Sequence, residues 1–121
     1  MKSLLMVAHG SRLKSSNEEF AALAQRVEAR LGNAFDCTAT AFLELAEPYI
    51  DTALLALIEQ GATDIEVMPC FLLAGTHVRN DIPNIVAAVR EQHPAVRIHL
   101  REHLAAEPDF VSYLAAQASQ Q

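Results

Sequence analysis

Short apolar runs alternate along the chain with longer segments whose apolar residues recur at helical spacing, and this alternation limits the fold more than any other feature. The first run, residues 4–8, is continuously apolar, which is typical of a parallel strand covered on both faces. Residues 20–31 instead place apolar side chains three or four positions apart, which predicts a helix. The predicted strands are 4–8, 37–43, 65–73 and 96–100, and the predicted helices begin near residues 16, 48, 81 and 108. Pairing in the third strand region is expected to weaken at Pro69, where the chain moves into a loop.

Strands that alternate with helices are joined by right-handed crossovers, and this connection produces a parallel sheet. We therefore predict an α/β fold with a single domain over residues 1–121. Its four-stranded parallel sheet has helices on both faces, with the β-α unit repeated four times. A chain of 121 residues is long enough for one domain with a buried core. In the last predicted helix, Phe110, Val111 and Leu114 form the apolar stripe.

Charge and cysteine content exclude several classes of function. The chain has 15 acidic and 9 basic residues and a formal net charge of −6, which argues against a nucleic-acid partner and against binding to a membrane surface. No apolar run approaches the roughly 20 residues that a membrane-spanning helix needs. Cys37 and Cys70 form no paired motif, so we predict a reducing, cytoplasmic location.

Histidine and glutamate residues follow the predicted strands. His9 comes directly after the first strand, Glu44 after the second, His77 in the loop after the third, and His103 after the fourth. Ligands of open parallel sheets bind at the carboxyl ends of the strands, where these residues converge. Two imidazoles and a carboxylate can bind a divalent ion such as Co²⁺, Fe²⁺, Ni²⁺ or Zn²⁺, and imidazole also transfers protons near neutral pH. His103 is equally consistent with a place in this cleft and with a structural role.

Three segments, in their order and spacing, resemble the class II chelatases, specifically the short sirohydrochlorin chelatases of the CbiX type. They are residues 7–12 (VAHGSR), 41–48 (AFLELAEP) and 69–83 (PCFLLAGTHVRNDIP). The resemblance implies an enzyme, a lyase, that inserts a divalent metal into sirohydrochlorin during cobalamin or siroheme biosynthesis. Cobalt is the first expectation and iron the next, with the metal as a substrate and no tightly bound cofactor. His9, His77 and Glu44 match the family's catalytic residues, and the two histidines match its metal ligands.

The resemblance also implies a partner and a binding surface. Some family members are about twice as long and consist of two similar halves, so a chain of this length is expected to form a homodimer that completes the cleft. Sirohydrochlorin is polyanionic whereas this chain is net negative, which requires a locally basic site. The expected substrate-binding residues are Arg12, Lys14 and Arg79, which supply charge, together with Gly10, Ser11, Gly75 and Thr76, which flank the histidines. Gly10 and Gly75 would let the backbone approach a planar ligand closely.

Two other functions fit parts of the pattern. A protein that binds or delivers a divalent metal would use His9 and His77 without touching a tetrapyrrole. A phosphohistidine enzyme would also use a histidine followed by glycine, but arginine is expected before that pair, where this chain has Ala8. The pattern does not divide the roles of metal ligand and base among His9, His77 and Glu44.

Overall fold

The predicted alternation of strands and helices is present in the computed structural model, which describes residues 1–120. The elements are β1 (Lys2–Ala8), α1 (Lys14–Leu31), β2 (Cys37–Phe42), α2 (Ile50–Glu59), β3 (Asp64–Pro69), a π-helical turn (His77–Asp81), α3 (Ile82–Gln92), β4 (Arg97–Leu100), a 3-10 turn (Leu104–Ala106) and α4 (Pro108–Ala118). The third strand ends at Pro69, the residue at which its pairing was predicted to weaken, because proline has no N–H to donate to the ladder.

The strand order places a crevice beside β1. The four strands formed by residues 1–120 are parallel and lie in the order β2-β1-β3-β4. The chain leaves β1 for β2 on one side and then crosses to β3 on the other side. The crossovers at β1 therefore diverge, and the carboxyl ends of β1 and β3 become the expected position for a ligand.

Helices cover both faces of the sheet, as predicted. On one face, Leu5, Val7 and Val67 of the strands pack against Leu54 of α2 and Val86 of α3, all essentially inaccessible to solvent. On the other face, Leu4 and Met6 of β1 pack against α1 through side chains that include Ala24, Phe20 and Val27. Burial of each large aliphatic side chain stabilises the fold by about 1.5–3 kcal/mol, so the two cores fix the strand ends firmly.

Two helix starts differ from the prediction. Pro48 does not begin α2: its carbonyl accepts a hydrogen bond from the Phe42 N–H at 2.9 Å, and the helix begins at Ile50. This bond holds the chain beside the end of β2. The first helix begins at Lys14, two residues before the predicted start near residue 16.

The last helix buries none of its residues. Val111 is 55% exposed, Tyr113 56% and Leu114 49%, and the main neighbour of α4 is the 3-10 turn that precedes it. The apolar stripe predicted from the sequence is therefore present but does not contact the sheet core. A helix with an apolar stripe gains most of its stability by packing that stripe against another surface.

A buried carboxylate joins β3 to β4. Glu66 is 8% exposed and accepts hydrogen bonds from His99 Nδ1 at 2.6 Å, Arg97 at 3.0 Å and Arg101 at 3.1 Å. Burial would raise the pKa of Glu66, but these hydrogen bonds and the charge of His99 outweigh it and lower the pKa to about 2. The folded state therefore favours the ionised carboxylate.

We expect Glu66 to make the free energy of unfolding depend on pH in the acid range. A carboxyl with a lowered folded pKa contributes stability above its unfolded pKa of 4.5, and loses that contribution as the pH falls towards about 2. The contribution is at most about 3 kcal/mol. Urea unfolding of the wild type and of Glu66→Gln should give a difference that disappears across this range, with Glu28→Gln on the exposed face of α1 as control. A difference that stays constant with pH would contradict the assignment.

Candidate metal centre

Three side chains from the segments that follow β1, β2 and β3 meet in the crevice beside β1. His9, Glu44 and His77 each bring one ligand atom to within 4.8 Å of the others. His9 Nε2 lies 3.1 Å from Glu44 Oε1, and the two imidazole rings lie 5.1 Å apart between centroids. Among residues 1–120 this is the one group of three histidine, cysteine or acidic residues close enough to share an ion.

The backbone holds His9 and Glu44 together beyond the ends of their strands. Leu43 N–H donates to the Ala8 carbonyl at 2.9 Å, and Glu44 N–H donates to the His9 carbonyl at 3.0 Å. Gly10 permits this approach: its φ is +96°, and a Cβ added there would lie 1.8 Å from the Glu44 carbonyl oxygen. The small size of Gly10 was expected to serve the approach of a planar ligand. The structure shows that the neighbouring loop already requires it.

A side chain of α1 fixes the loop after β1. The Asn17 side chain accepts a hydrogen bond from Ser11 N–H at 3.0 Å and donates one to the Ser11 carbonyl at 2.8 Å. This pair of bonds anchors the segment directly after His9 and Gly10. No sequence motif indicated this role of Asn17.

His77 lies on a π-helical turn rather than in a loop. The Ile82 N–H donates to the His77 carbonyl, five residues back, and this bond joins the turn to α3. The His77 Nδ1 lies 2.6 Å from Asp81 Oδ2, within the same turn. Single π-helical turns occur frequently at functional sites. The Phe71 ring meets His9 edge to face at 6.3 Å and forms an apolar boundary of the site.

The hydrogen bonds of His9 determine which of its ring atoms faces the centre. His9 Nδ1 lies 3.0 Å from the Gly10 carbonyl, which only accepts, so Nδ1 carries the hydrogen. The other nitrogen, Nε2, then faces the Glu44 carboxylate. Two acceptors attract each other only with a proton or a cation between them. The His9–Glu44 pair is therefore suited to exchanging a proton for a metal ion.

The ligand set fits a borderline divalent metal in an open site. Imidazole nitrogens and a carboxylate oxygen suit Fe²⁺, Co²⁺, Ni²⁺ and Zn²⁺. The side chains of His9, Glu44 and His77 are 43%, 49% and 45% exposed. Three ligands with this exposure leave coordination positions free on the solvent side, where a second molecule can reach the metal.

The predicted substrate-binding residues are close to the two histidines in sequence, and most of them are exposed. Arg79 donates to the Ala74 carbonyl at 3.1 Å, and Lys14 lies 3.9 Å from Glu18 and is 90% exposed. Arg12, Gly75 and Thr76 are exposed. A Cβ added at Gly75 would meet no other atom of residues 1–120 within 4 Å. The roles of these residues stay predictions.

His103 and Cys70 lie outside the group of three ligands. His103 lines a cavity of about 160 Å³ with residues that include Pro69, Ile82 and Arg101. Its side chain is 20% exposed and lies 4.0 Å from Glu102. Burial raises the pKa of the Cys70 thiol to about 11, so the thiolate that binds metals does not form near neutral pH. Cys70 packs beside the core formed by β1 and α1.

No helix within residues 1–120 has both the length and the apolar character needed to cross a membrane.

Comparison with known proteins finds relatives of this chain in both sequence and structure. The CbiX family model matches residues 3–121. The sirohydrochlorin ferrochelatase of Bacillus subtilis is 36% identical over 110 residues, which cover 91% of this chain and 41% of the relative. The sirohydrochlorin cobaltochelatase of Methanocaldococcus jannaschii is 40% identical over 93 residues, which cover 77% of this chain and 64% of the relative.

A solved structure extends the comparison to three dimensions. The sirohydrochlorin chelatase SirB from Bacillus subtilis subspecies spizizenii, in complex with cobalt, superposes with a TM-score of 0.82 at 32% identity. The match covers 98% of this chain and 50% of SirB. The chain thus spans half the length of SirB and about two fifths of the length of the Bacillus subtilis ferrochelatase.

Proposed function

The chain belongs to the CbiX family, and from this premise we propose that it inserts a divalent metal into sirohydrochlorin, with Co²⁺ as the first candidate and Fe²⁺ as the next. The observation that carries the proposal is the meeting of His9, Glu44 and His77 within 4.8 Å in a half-exposed crevice. Relatives named as cobaltochelatases and ferrochelatases support both metals. The metal is a substrate, so the reaction needs no tightly bound cofactor.

The proposed reaction exchanges one divalent ion for the two pyrrole N–H protons of the macrocycle. His9, His77 and Glu44 hold the metal as it loses water, and the exposed side of the site receives the ring. Glu44 accepts one of the two protons as the ring nitrogens bind the metal, and the other passes to solvent on the exposed side of the site. Glu44 lies 3.1 Å from His9, so a proton on Glu44 can move to that imidazole or to solvent. A crevice that favours a bent ring, with its nitrogen lone pairs exposed, would lower the barrier further.

Arg12 and Arg79 are proposed to bind the carboxylates of sirohydrochlorin, with Lys14 as a further cation. We expect Arg12→Ala and Arg79→Ala to raise KM by about 5- to 10-fold and to change kcat less, since each removes a charged hydrogen bond to substrate. Steady-state kinetics at varied sirohydrochlorin measure both constants. Arg26→Ala, on an exposed part of α1 about three turns from its start, is the matched control. An unchanged KM in both site variants would remove these residues from the binding surface.

We propose that the functional unit is a homodimer. The match to half of SirB leaves room for a second copy where that protein has its other half. Val111 and Leu114 of the apolar stripe of α4 support the same view, because they stay about half exposed and α4 contacts mainly the 3-10 turn within residues 1–120. Sedimentation equilibrium tests this proposal, which requires twice the 13.2 kDa mass of one chain.

We further propose a cytoplasmic location, in keeping with the two free cysteines.

The geometry weighs against phosphoryl transfer through His9. A phosphoryl group on Nε2 would face the Glu44 carboxylate, 3.1 Å away, and two negative charges at that distance repel each other. A metal-delivery protein remains the second candidate, because the same three ligands bind an ion whether or not a tetrapyrrole follows.

The deciding experiment is anaerobic incubation of the purified chain with sirohydrochlorin and Co²⁺ or Fe²⁺. Metal insertion is followed by the change in absorbance, against a reaction without protein. Acceleration supports the chelatase, and the faster metal indicates the pathway. If folded protein binds Co²⁺ but neither accelerates insertion nor binds metal-free sirohydrochlorin, metal delivery becomes the better description.

A further inference from the structure

We propose that Asp81 is a positioning residue for His77: its carboxylate holds the hydrogen on Nδ1, so that Nε2 is the atom presented to the metal. The inference rests on the proposed function for its purpose. Its evidence is the hydrogen bond between His77 Nδ1 and Asp81 Oδ2 at 2.6 Å. Asp81 is absent from the group of three ligands and acts through His77 rather than on the metal.

The chemistry of the pair fixes the tautomer. An ionised carboxylate only accepts hydrogen bonds, so the Nδ1 that contacts Asp81 must be the donor. A neutral imidazole has one hydrogen and one lone pair, and the lone pair of His77 is then on Nε2. Histidines that bind metals usually donate their second N–H to a carboxylate or a carbonyl, which orients the ring and raises its basicity.

The backbone explains why Asp81 is rigid enough for this role. Asp81 ends the π-helical turn and directly precedes Ile82, which is fully buried in the core below the site. The Ile82 N–H donates to the carbonyl of His77, so the two residues of the pair are also joined through the main chain. The carboxylate is therefore fixed from the α3 side, while the His77 ring remains 45% exposed.

The two histidines are held by different acceptors. Nδ1 of His9 contacts the neutral carbonyl of Gly10, whereas Nδ1 of His77 contacts a charged carboxylate. A carboxylate partner increases the electron density of the ring more than a carbonyl does, which makes His77 the stronger donor to a metal. Only the His77 partner is a side chain, so it can be replaced without altering the backbone.

A purely structural role of Asp81 would have different experimental effects from a positioning role. His77 and Asp81 are about equally exposed, at 45% and 46%, and exposed pairs four residues apart in a helix stabilise a fold only slightly. Such a pair affects thermal stability alone. A positioning pair changes the tautomer of His77 and its affinity for a metal.

The test combines ¹⁵N NMR of the histidine side chains with titration of Co²⁺ alone, followed by its visible absorption. In the wild type with neutral His77, we expect the hydrogen on Nδ1. Asp81→Ala should shift the ring towards the Nε2–H tautomer and weaken Co²⁺ binding by about 10-fold or more. Asp81→Asn, whose amide oxygen still accepts, should lose less affinity. Asp51→Ala, at an exposed site in the first turn of α2, is the control and should bind Co²⁺ as the wild type does.

Either of two results would overturn the inference: a wild-type His77 with its hydrogen on Nε2, or wild-type Co²⁺ affinity in Asp81→Ala. The wild-type spectrum and Asp81→Asn keep the test decisive if the alanine variant does not fold. Neither readout uses sirohydrochlorin. Failure of metal insertion alone, with the expected tautomer and a weaker Asp81→Ala site, would therefore reject the proposed function and leave the positioning role intact.

Discussion

Replacing either His9 or His77 with alanine is expected to lower the rate of the proposed metal insertion by at least about 100-fold. Each imidazole contributes one of three ligand atoms that lie within 4.8 Å of one another. Loss of one leaves a single imidazole and a carboxylate, which hold a borderline metal weakly and in no defined geometry. Loss of His9 also removes the group that faces Glu44 at 3.1 Å and exchanges protons with it.

Anaerobic insertion assays with Co²⁺ and sirohydrochlorin measure the effect, and titration with Co²⁺ alone reports on the metal site separately. His93→Ala is the matched control, because His93 follows the end of α3, eleven residues beyond its buried start at Ile82 and away from the carboxyl ends of the strands. It should retain the wild-type rate. If either site variant inserts metal as fast as the wild type, the metal is held elsewhere, and the cavity lined by His103 becomes the next place to examine.

The convergence of His9, Glu44 and His77 could be predicted because it depends on the sheet rather than on local detail. Parallel strands end at one edge, so residues that follow β1, β2 and β3 must lie on the same side of the molecule. The strand order then makes β2 and β3 the two neighbours of β1. Apolar periodicity was sufficient to predict the elements and the covering of both sheet faces, and the structure confirms that prediction.

The residues that orient the site were not predictable in the same way. Asn17 is joined to Ser11 by two hydrogen bonds and Asp81 to His77 by one, and these partners are decided by the course of a loop and by one π-helical turn. Periodicity carries no information about such bonds. A carboxylate four residues after a histidine was the one available signal for Asp81, because side chains at that spacing share a helix face. This spacing is informative only once His77 is known to lie on a helical turn.

The position of α4 shows a second limit. Its sequence pattern specified which side chains form an apolar stripe, but a pattern does not say what covers the stripe. Val111 and Leu114 remain half exposed, and in the proposed homodimer the missing cover belongs to another molecule.

Pro48 shows a third limit. Proline suits the first turn of a helix, yet here a carbonyl bonded to Phe42 holds the chain extended until Ile50.

Gly10→Ala is expected to destabilise the protein by more than about 3 kcal/mol and to disrupt the metal site at the same time. The φ of +96° strains any residue with a side chain, and the new Cβ would lie 1.8 Å from the Glu44 carbonyl oxygen. Backbone cannot yield as the end of a flexible side chain does, so the loops of His9 and Glu44 must separate. Their separation breaks the bond from Glu44 N–H to the His9 carbonyl and moves two of the three ligands apart.

Gly32→Ala separates the two causes. Gly32 also has a positive φ, +58°, but a Cβ there would meet no atom of residues 1–120 within 4 Å. The Gly32→Ala variant should therefore be destabilised only by backbone strain, by about 1–3 kcal/mol, and should keep the wild-type affinity for Co²⁺. Urea unfolding and Co²⁺ titration of both variants provide the comparison. If Gly10→Ala binds Co²⁺ as tightly as Gly32→Ala does, the close approach of the two loops is not what assembles the site, and the ligands must be positioned by the strand ends alone.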